Sequence, residues 1–315
     1  GLGDVYKRQG QAGSGLAVNF PMLVAFRIVV ACAHSIFWAI VGPLATQIVP
    51  RGHQPFALSM VATGTSIAMI LGLPLGRLIG LALGWRMTFL FLSFVSLLDM
   101  AYLWRIFPVL TQGAPFTLHD LPGLLRNPIV MGVSFLALLY AGSYFTVYSY
   151  IEPFLETVAH FSAQGITWTL VFLGVCGIGG SAVFFRFYEA RRQPVFYFEL
   201  GALLAVMVLF LPAASFRPTM LLCCMVFGMI FTMFGTTMQA ELIRGCPQAA
   251  APVAMAIYSG IFNVGIASGT WLGGHLVSRD LLSYIGFAGA VLAVGATLVA
   301  LCFYVPKIKA GSGQP

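Results

Sequence analysis

The sequence predicts an all-α, polytopic membrane protein, and three observations carry that expectation. Of its 315 residues, 59% are hydrophobic and only 8% are charged, with a mean hydropathy of +0.94. A soluble domain carries about 25% charged residues, so this chain has too little polar surface to face water. Its apolar runs are long enough to cross a bilayer, about 20 residues as helix, and they do not alternate as the roughly ten-residue strands of a membrane barrel do. Finally, Lys and Arg collect in alternate connections between those runs. In lipid each segment must satisfy its own backbone, which leaves helices as the fold.

The polar GLGDVYKRQ start lacks the apolar stretch of a signal peptide. Residues 1–19 therefore read as an artefactual or loop segment, and the chain as a fragment truncated at its N-terminus. Nine spans follow, at 20–48, 55–80, 85–107, 128–152, 164–186, 194–213, 218–242, 250–275 and 282–305. The one long polar connection, TQGAPFTLHDLPGLLRN, makes 108–127 a linker between 20–107 and 128–305, with a tail at 306–315. One set of connections holds Arg51, Arg105, Arg126, Arg186, Arg191, Arg192 and Arg244, with Lys307 and Lys309 in the tail. The opposite set holds Arg86, Arg217 and Arg279. Positive loops stay in the cytoplasm, which predicts a cytoplasmic C-terminus and linker.

An internal repeat is visible. Laying Arg51-Gly52 on Arg244-Gly245 brings Ser66 onto Ser259, the glycines 72, 76 and 80 onto Gly265, Gly269 and Gly273, and Arg86 onto Arg279. Parallel repeats of this kind relate the two six-helix halves of some secondary transporters, so three further helices are expected upstream, twelve in all.

Within the spans, Gly72, Gly76 and Gly80 recur every four residues around Pro74, as do Gly265, Gly269 and Gly273. Such spacing makes a groove for a close neighbour, and Pro74 should kink its helix. These seven positions read as a packing seam that also hinges. Arg27 and His34 share a face of the first span, and Asp99 lies inside the third. Ionisable groups at such depth are functional hypotheses by default, although Arg27 could snorkel, His34 could be a satisfied core histidine, and Asp99 could reach the interface near Arg105. Glu199 and Glu241, near helix ends, read as solvated carboxylates or gating partners of arginine. In YAGSYFTVYSYIEPF, Tyr140, Tyr144, Tyr148 and Glu152 follow at four-residue steps, each drifting about 40° around a helix. The deep tyrosines are candidate substrate contacts, while Glu152 and Pro153 read as the outer rim or gate. The CCMVFGMIFTMFGTTMQAELIRG stretch reads as packing and lipid face.

The six cysteines and five histidines show no metal-ligand spacing, and neither a GxxxxGK[ST] run nor a GxSxG, HExxH or CxxC constellation is present. Neither a metal, a cofactor, nucleotide-driven pumping nor an enzyme is expected.

The stretches RIVVACAHSIFWAI, LSMVATGTSIAMILGLPLGRLIG, LGWRMTFLF, YSYIEPF and AMAIYSGIFNVGIASG, in this order and spacing, resemble bacterial sugar efflux transporters. These belong to the drug:proton antiporter branch of the major facilitator superfamily. The resemblance implies a major facilitator fold with nine of twelve helices present, the visible spans being helices four to twelve. It also matches Gly72–Pro74 to the fifth-helix antiporter motif and Arg27 to the basic residue of the fourth-helix motif. Arg27, His34, Asp99, Tyr140, Tyr144, Tyr148 and Asn263 are the resulting candidates for the substrate path or proton linkage. The implied protein is a monomeric exporter of sugar-like small solutes in a bacterial inner membrane, coupled to a proton gradient, with no nucleic-acid partner. A drug or nucleoside exporter is the alternative, and a non-transporting scaffold the distant one.

Overall fold

The structure, a computed structural model, describes residues 2–50, 52–106 and 121–304. The α-helices are α1 (Leu2–Gly15), α2 (Phe20–Gln47), α3 (Gln54–Leu83), α4 (Trp85–Ile106), α5 (Leu121–Leu125), α6 (Pro128–Tyr148), α7 (Ile151–Thr157), α8 (Ala163–Phe187), α9 (Arg192–Ala213), α10 (Arg217–Arg244), α11 (Ala251–Val277) and α12 (Ile285–Val299), which ends in a π-helical turn, Ala300–Tyr304. Among the described residues nine spans are long and apolar enough to cross a membrane, and the protein is a multi-pass membrane protein.

Local chemistry sets the helix ends. Asn19 caps α2 by accepting from Met22 N at 2.9 Å, and Asn127 caps α6 by accepting from Ile129 N at 2.9 Å. Pro21, Pro128, Pro218 and Pro252 occupy first turns, where no backbone N–H is needed. Gly84, at φ +87, makes the abrupt turn from α3 into α4 that a side chain would oppose.

Three expectations are corrected. Of residues 1–19, Leu2–Gly15 are helical where a loop was expected, and α1 packs on α2 and α4. Gly10 lies against Val30 and Gly15 against Leu90, so small residues let the backbones close up. The 128–152 span is two helices, because Pro153 has no N–H to bond back to residue 149. The chain therefore turns at Ser149–Tyr150 and restarts as α7 with Pro153 in its first turn, which takes Glu152 off the tyrosine helix. Glu199 and Glu241 are not solvated; both are buried. Of the linker, residues 107–120 lie outside the described residues and 121–125 form α5. Arg51, the tail from 305 and the side chain of Pro74, with its expected kink, also lie outside them.

The main core lies among α6–α12. α6 packs on α11 and α12, α8 on α10, and α9 on α10 and α12. α2–α4 join this group through α2 on α11 and α3 on α8 and α10. The two groups meet where Gly174 of α8 lies against the Ile70 backbone of α3, and again at the end that carries Arg105, Arg186, Arg191, Arg192 and Arg244, here the arginine-rich end. There Leu58 of α3 packs with Phe184, Tyr188 and Met233, and the Phe56 and Phe185 rings meet edge-on at 5.7 Å.

The two glycine ladders differ in use. A Cβ on Gly265, Gly269 or Gly273 would strike the α6 carbonyls of Leu138, Gly142 and Thr146 respectively, so α6 and α11 touch backbone to backbone. Among the described residues, a Cβ on Gly76 or Gly80 would meet only Thr88 of α4, at 3.7 Å, and one on Gly72 meets nothing within 4 Å.

At the arginine-rich end, charges tie three helices together. Arg192 donates from Nε to Glu241 Oε1 at 2.9 Å and pairs from Nη2 with Oε2 at 2.5 Å, a bidentate clamp from α9 to α10. Tyr188, following α8, donates to the same Oε1 at 2.7 Å. Burial, and then the Glu241 carboxylate, push the Tyr188 hydroxyl well above the ordinary phenol range. Arg244 pairs with Glu189 and lies over the Tyr188 ring.

Gly269→Leu is expected to lower the thermal stability of the detergent-purified protein, since overpacking costs about 1–3 kcal/mol before any backbone shift. Gly72→Ala is expected to raise it by roughly 0.5–1 kcal/mol, the cost of an unneeded helical glycine. A thermal-shift assay that ranked the pair in reverse would remove the distinction between the ladders. Glu241→Ala should cost about 3 kcal/mol, the low end for losing one partner of a buried pair, because the Arg192 side chain keeps 30% exposure. An unchanged unfolding midpoint would refute that clamp.

Candidate functional site

The candidate site grows from α6. Tyr140, Tyr144 and Tyr148 face α10, where Phe227, Phe231 and Phe234 recur at i, i+4 and i+7, one helical face. The two rows interleave. Tyr140 stacks on Phe234 with ring centres 3.5 Å apart and planes at 2°. Tyr144 lies between Phe227 at 3.9 Å and Phe231 at 4.4 Å, and Tyr148 follows at 5.5 Å from Tyr144. From α11, Phe262 reaches Phe231 at 6.5 Å and Tyr258 at 5.9 Å from Phe262. The result is an aromatic column in the middle of the membrane, shared by three helices.

Its polar groups fare differently. The Tyr140 hydroxyl donates to Ile230 O at 3.0 Å, so the deepest tyrosine is committed to holding α10. The Tyr144 hydroxyl is fully buried and, among the described residues, has no hydrogen-bond partner. A buried, unpaired donor costs about 1–3 kcal/mol. Tyr148 is half-buried, at the end of the column toward the α6–α7 turn. Asn263, also half-buried, donates from its amide to Ser259 O at 2.8 Å on its own helix.

The other candidates lie elsewhere. Arg27 is exposed on α2, donates to Gln11 of α1 at 3.4 Å, and sits 5.3 Å from the Phe89 ring of α4. His34 is exposed and accepts from Trp38 Nε1 at 2.8 Å. Asp99 is exposed on α4. Glu152 is exposed on α7 beside the half-buried Pro153. The structure thus brings the three tyrosines together with the Asn263 helix, and leaves Arg27, His34 and Asp99 on α2 and α4. Among the described residues no group of three or more His, Cys, Asp or Glu side chains could hold a metal ion.

Two features escaped sequence reading. The phenylalanine face of α10 had a signal, the i, i+4, i+7 spacing, hidden in a stretch where Met and Phe are dense. The second is the burial of Glu199 on α9, which is 0% exposed with its Oε1 accepting from Thr237 of α10 at 2.6 Å. Seven residues separate it from Arg192 and carry it two turns inward.

Chemically, the column holds rings stacked on one another, whose faces would be freed only by parting α6 from α10, and one hydroxyl without a partner among the described residues. That suits reversible binding of a small molecule with an apolar face and a polar edge.

Comparison with known proteins places this bundle. The Major Facilitator Superfamily family model matches residues 10–270. The Escherichia coli fucose:proton symporter FucP superposes with a TM-score of 0.69 at 14% identity, covering 95% of this chain and 83% of that one. The proton:xylose symporter XylE gives 0.73 at 14%, covering 95% and 78%. The human organic anion transporter MFSD10 gives 0.68 at 13%, covering 95% and 75%. With its membrane-spanning helices, their packing order and this match, the chain belongs to the Major Facilitator Superfamily of membrane transporters.

Proposed function

We propose that this transporter exports sugars or related small polar solutes from a bacterial cell, driven by an inward proton gradient. The arginine-rich end faces the cytoplasm, as the distribution of positive loops suggests. Alternating access arises from rocking of the α2–α4 group against the α6–α12 group, and the protein works as a monomer. The observation that carries the reading is the buried Tyr144 hydroxyl, unpaired between two stacked rings at mid-membrane. When α6 parts from α10, a pyranose has an apolar face to lie on the freed rings and a rim of hydroxyls to pair with that one. Two of the solved relatives are described as proton-linked sugar symporters, which supports the substrate class. Proton drive requires a group whose protonation differs between the two access states.

Inverted membrane vesicles test this. Acidifying their lumen should drive uptake of labelled pentoses or hexoses, and a protonophore should abolish it. Uptake of apolar drugs or nucleosides in place of sugars would move the protein to the other exporters of its branch. Tyr144→Phe should raise the sugar KM roughly five- to tenfold, the loss of one hydrogen bond of about 1 kcal/mol. It should leave thermal stability equal or higher, because the substrate-free protein loses only an unpaired hydroxyl. An unchanged KM would take Tyr144 out of the site.

A further inference from the structure

The antiparallel helices α9 and α10 face each other as a ladder of two polar rungs. The first, at the arginine-rich end, is the Arg192–Glu241 clamp. One turn further in on α10 and two turns on α9 comes the second, Glu199 with Thr237. The first rung balances its charge; the second does not. Glu199 is 0% exposed, its Oε1 accepts from the Thr237 hydroxyl at 2.6 Å, and its Oε2 has no partner among the described residues. Among the described residues no Lys, Arg or His pairs with it.

The surroundings supply no positive charge either. α10 presents Thr237 and, a turn outward, Glu241; α6 presents Tyr140 and α11 presents Tyr258, both within electrostatic reach of the carboxyl. α12 carries no titratable side chain between Ile285 and Val299. After α8 come Tyr188, committed to Glu241, and Glu189, paired with Arg244. On α9 itself, Arg191 is exposed and Arg192 is clamped to Glu241. A lone ionised carboxylate sealed among apolar side chains is far costlier than a neutral acid, and proteins avoid it by holding the proton.

We propose that Glu199 is a proton-binding site: in this conformation it is a neutral carboxylic acid, sealed between α9 and α10 behind the Arg192–Glu241 clamp. The proton sits on Oε2 while Oε1 accepts from Thr237. The site takes up and loses its proton only when the two rungs part, so proton occupancy and the separation of α9 from α10 are linked. The proposal concerns proton binding and is independent of which solute is carried.

Infrared difference spectroscopy on the purified, lipid-reconstituted protein tests it without a transported solute. At neutral pH the wild type should show a carboxylic C=O band that is absent in Glu199→Gln. Thr237→Val should keep that band and shift it to higher frequency, because the carbonyl loses its hydrogen bond. An ionised Glu199 would produce neither effect. A Glu199→Gln spectrum that retains every carboxylic band of the wild type at neutral pH would overturn the proposal. So would a Thr237→Val spectrum with the band unmoved. Should Glu199→Gln fail to fold, the Thr237→Val shift alone decides between the same two outcomes. Failure here would leave sugar export untouched, and failure of sugar uptake in vesicles would leave the band in place.

Discussion

The architecture rests on the close approach of α6 and α11. Inside a bilayer, apolar helices gain nothing by hiding from lipid tails, so they associate through contact and hydrogen bonds. Gly265, Gly269 and Gly273 remove every side chain from one stripe of α11 and admit the α6 carbonyls of Leu138, Gly142 and Thr146. The turn after α6 is then stitched to α11 by Ser149 and Tyr150, which bond Thr270 at 2.9 and 3.1 Å. With that pair fixed, the opposite face of α6 is held square to α10, and the tyrosine and phenylalanine rows can interleave. A side chain in the glycine stripe would push α6 away from α11 and break the register of the column.

Much of this was legible in the sequence because it follows from one-dimensional rules. Span number and position depend on apolar run length. The stripe at Gly265, Gly269 and Gly273 was visible as a four-residue repeat. What the repeat did not reveal was that its counterpart at Gly72, Gly76 and Gly80 meets so little, because a glycine pattern records permission for an approach and not the approach itself. The turn at Ser149–Tyr150 was missed because hydrophobicity continues through it, although Pro153 marked the place. Within the tyrosine row, drift and depth already set Glu152 apart from the tyrosines, and the partners then separated the tyrosines themselves: Tyr140 bonds Ile230 O, while the Tyr144 hydroxyl has no partner among the described residues.

Buried acids were the hardest to read. Glu199 and Glu241 sit near helix ends, where solvation is the ordinary expectation. Both are covered because α8, α9 and α10 converge there, a tertiary fact with no sequence period. Their fates differ by position alone. Glu241 lies where Arg192 and Tyr188 can reach it, while Glu199 lies two turns past the arginine and accepts from the Thr237 hydroxyl.

Several of these bonds span great lengths of chain. Asn127 caps α6 at once through a neighbour, but its amide N–H waits for the carbonyl of Gly245 at 2.9 Å. Tyr140 waits for Ile230, and Ser143 for the carbonyl of Gly289 at 2.8 Å. During synthesis α6 therefore enters the bilayer with polar groups whose partners have not yet been translated. These hydroxyls must be tolerated by lipid or translocon until α10 and then α12 arrive, so this group of helices locks late and together, once its final span is threaded.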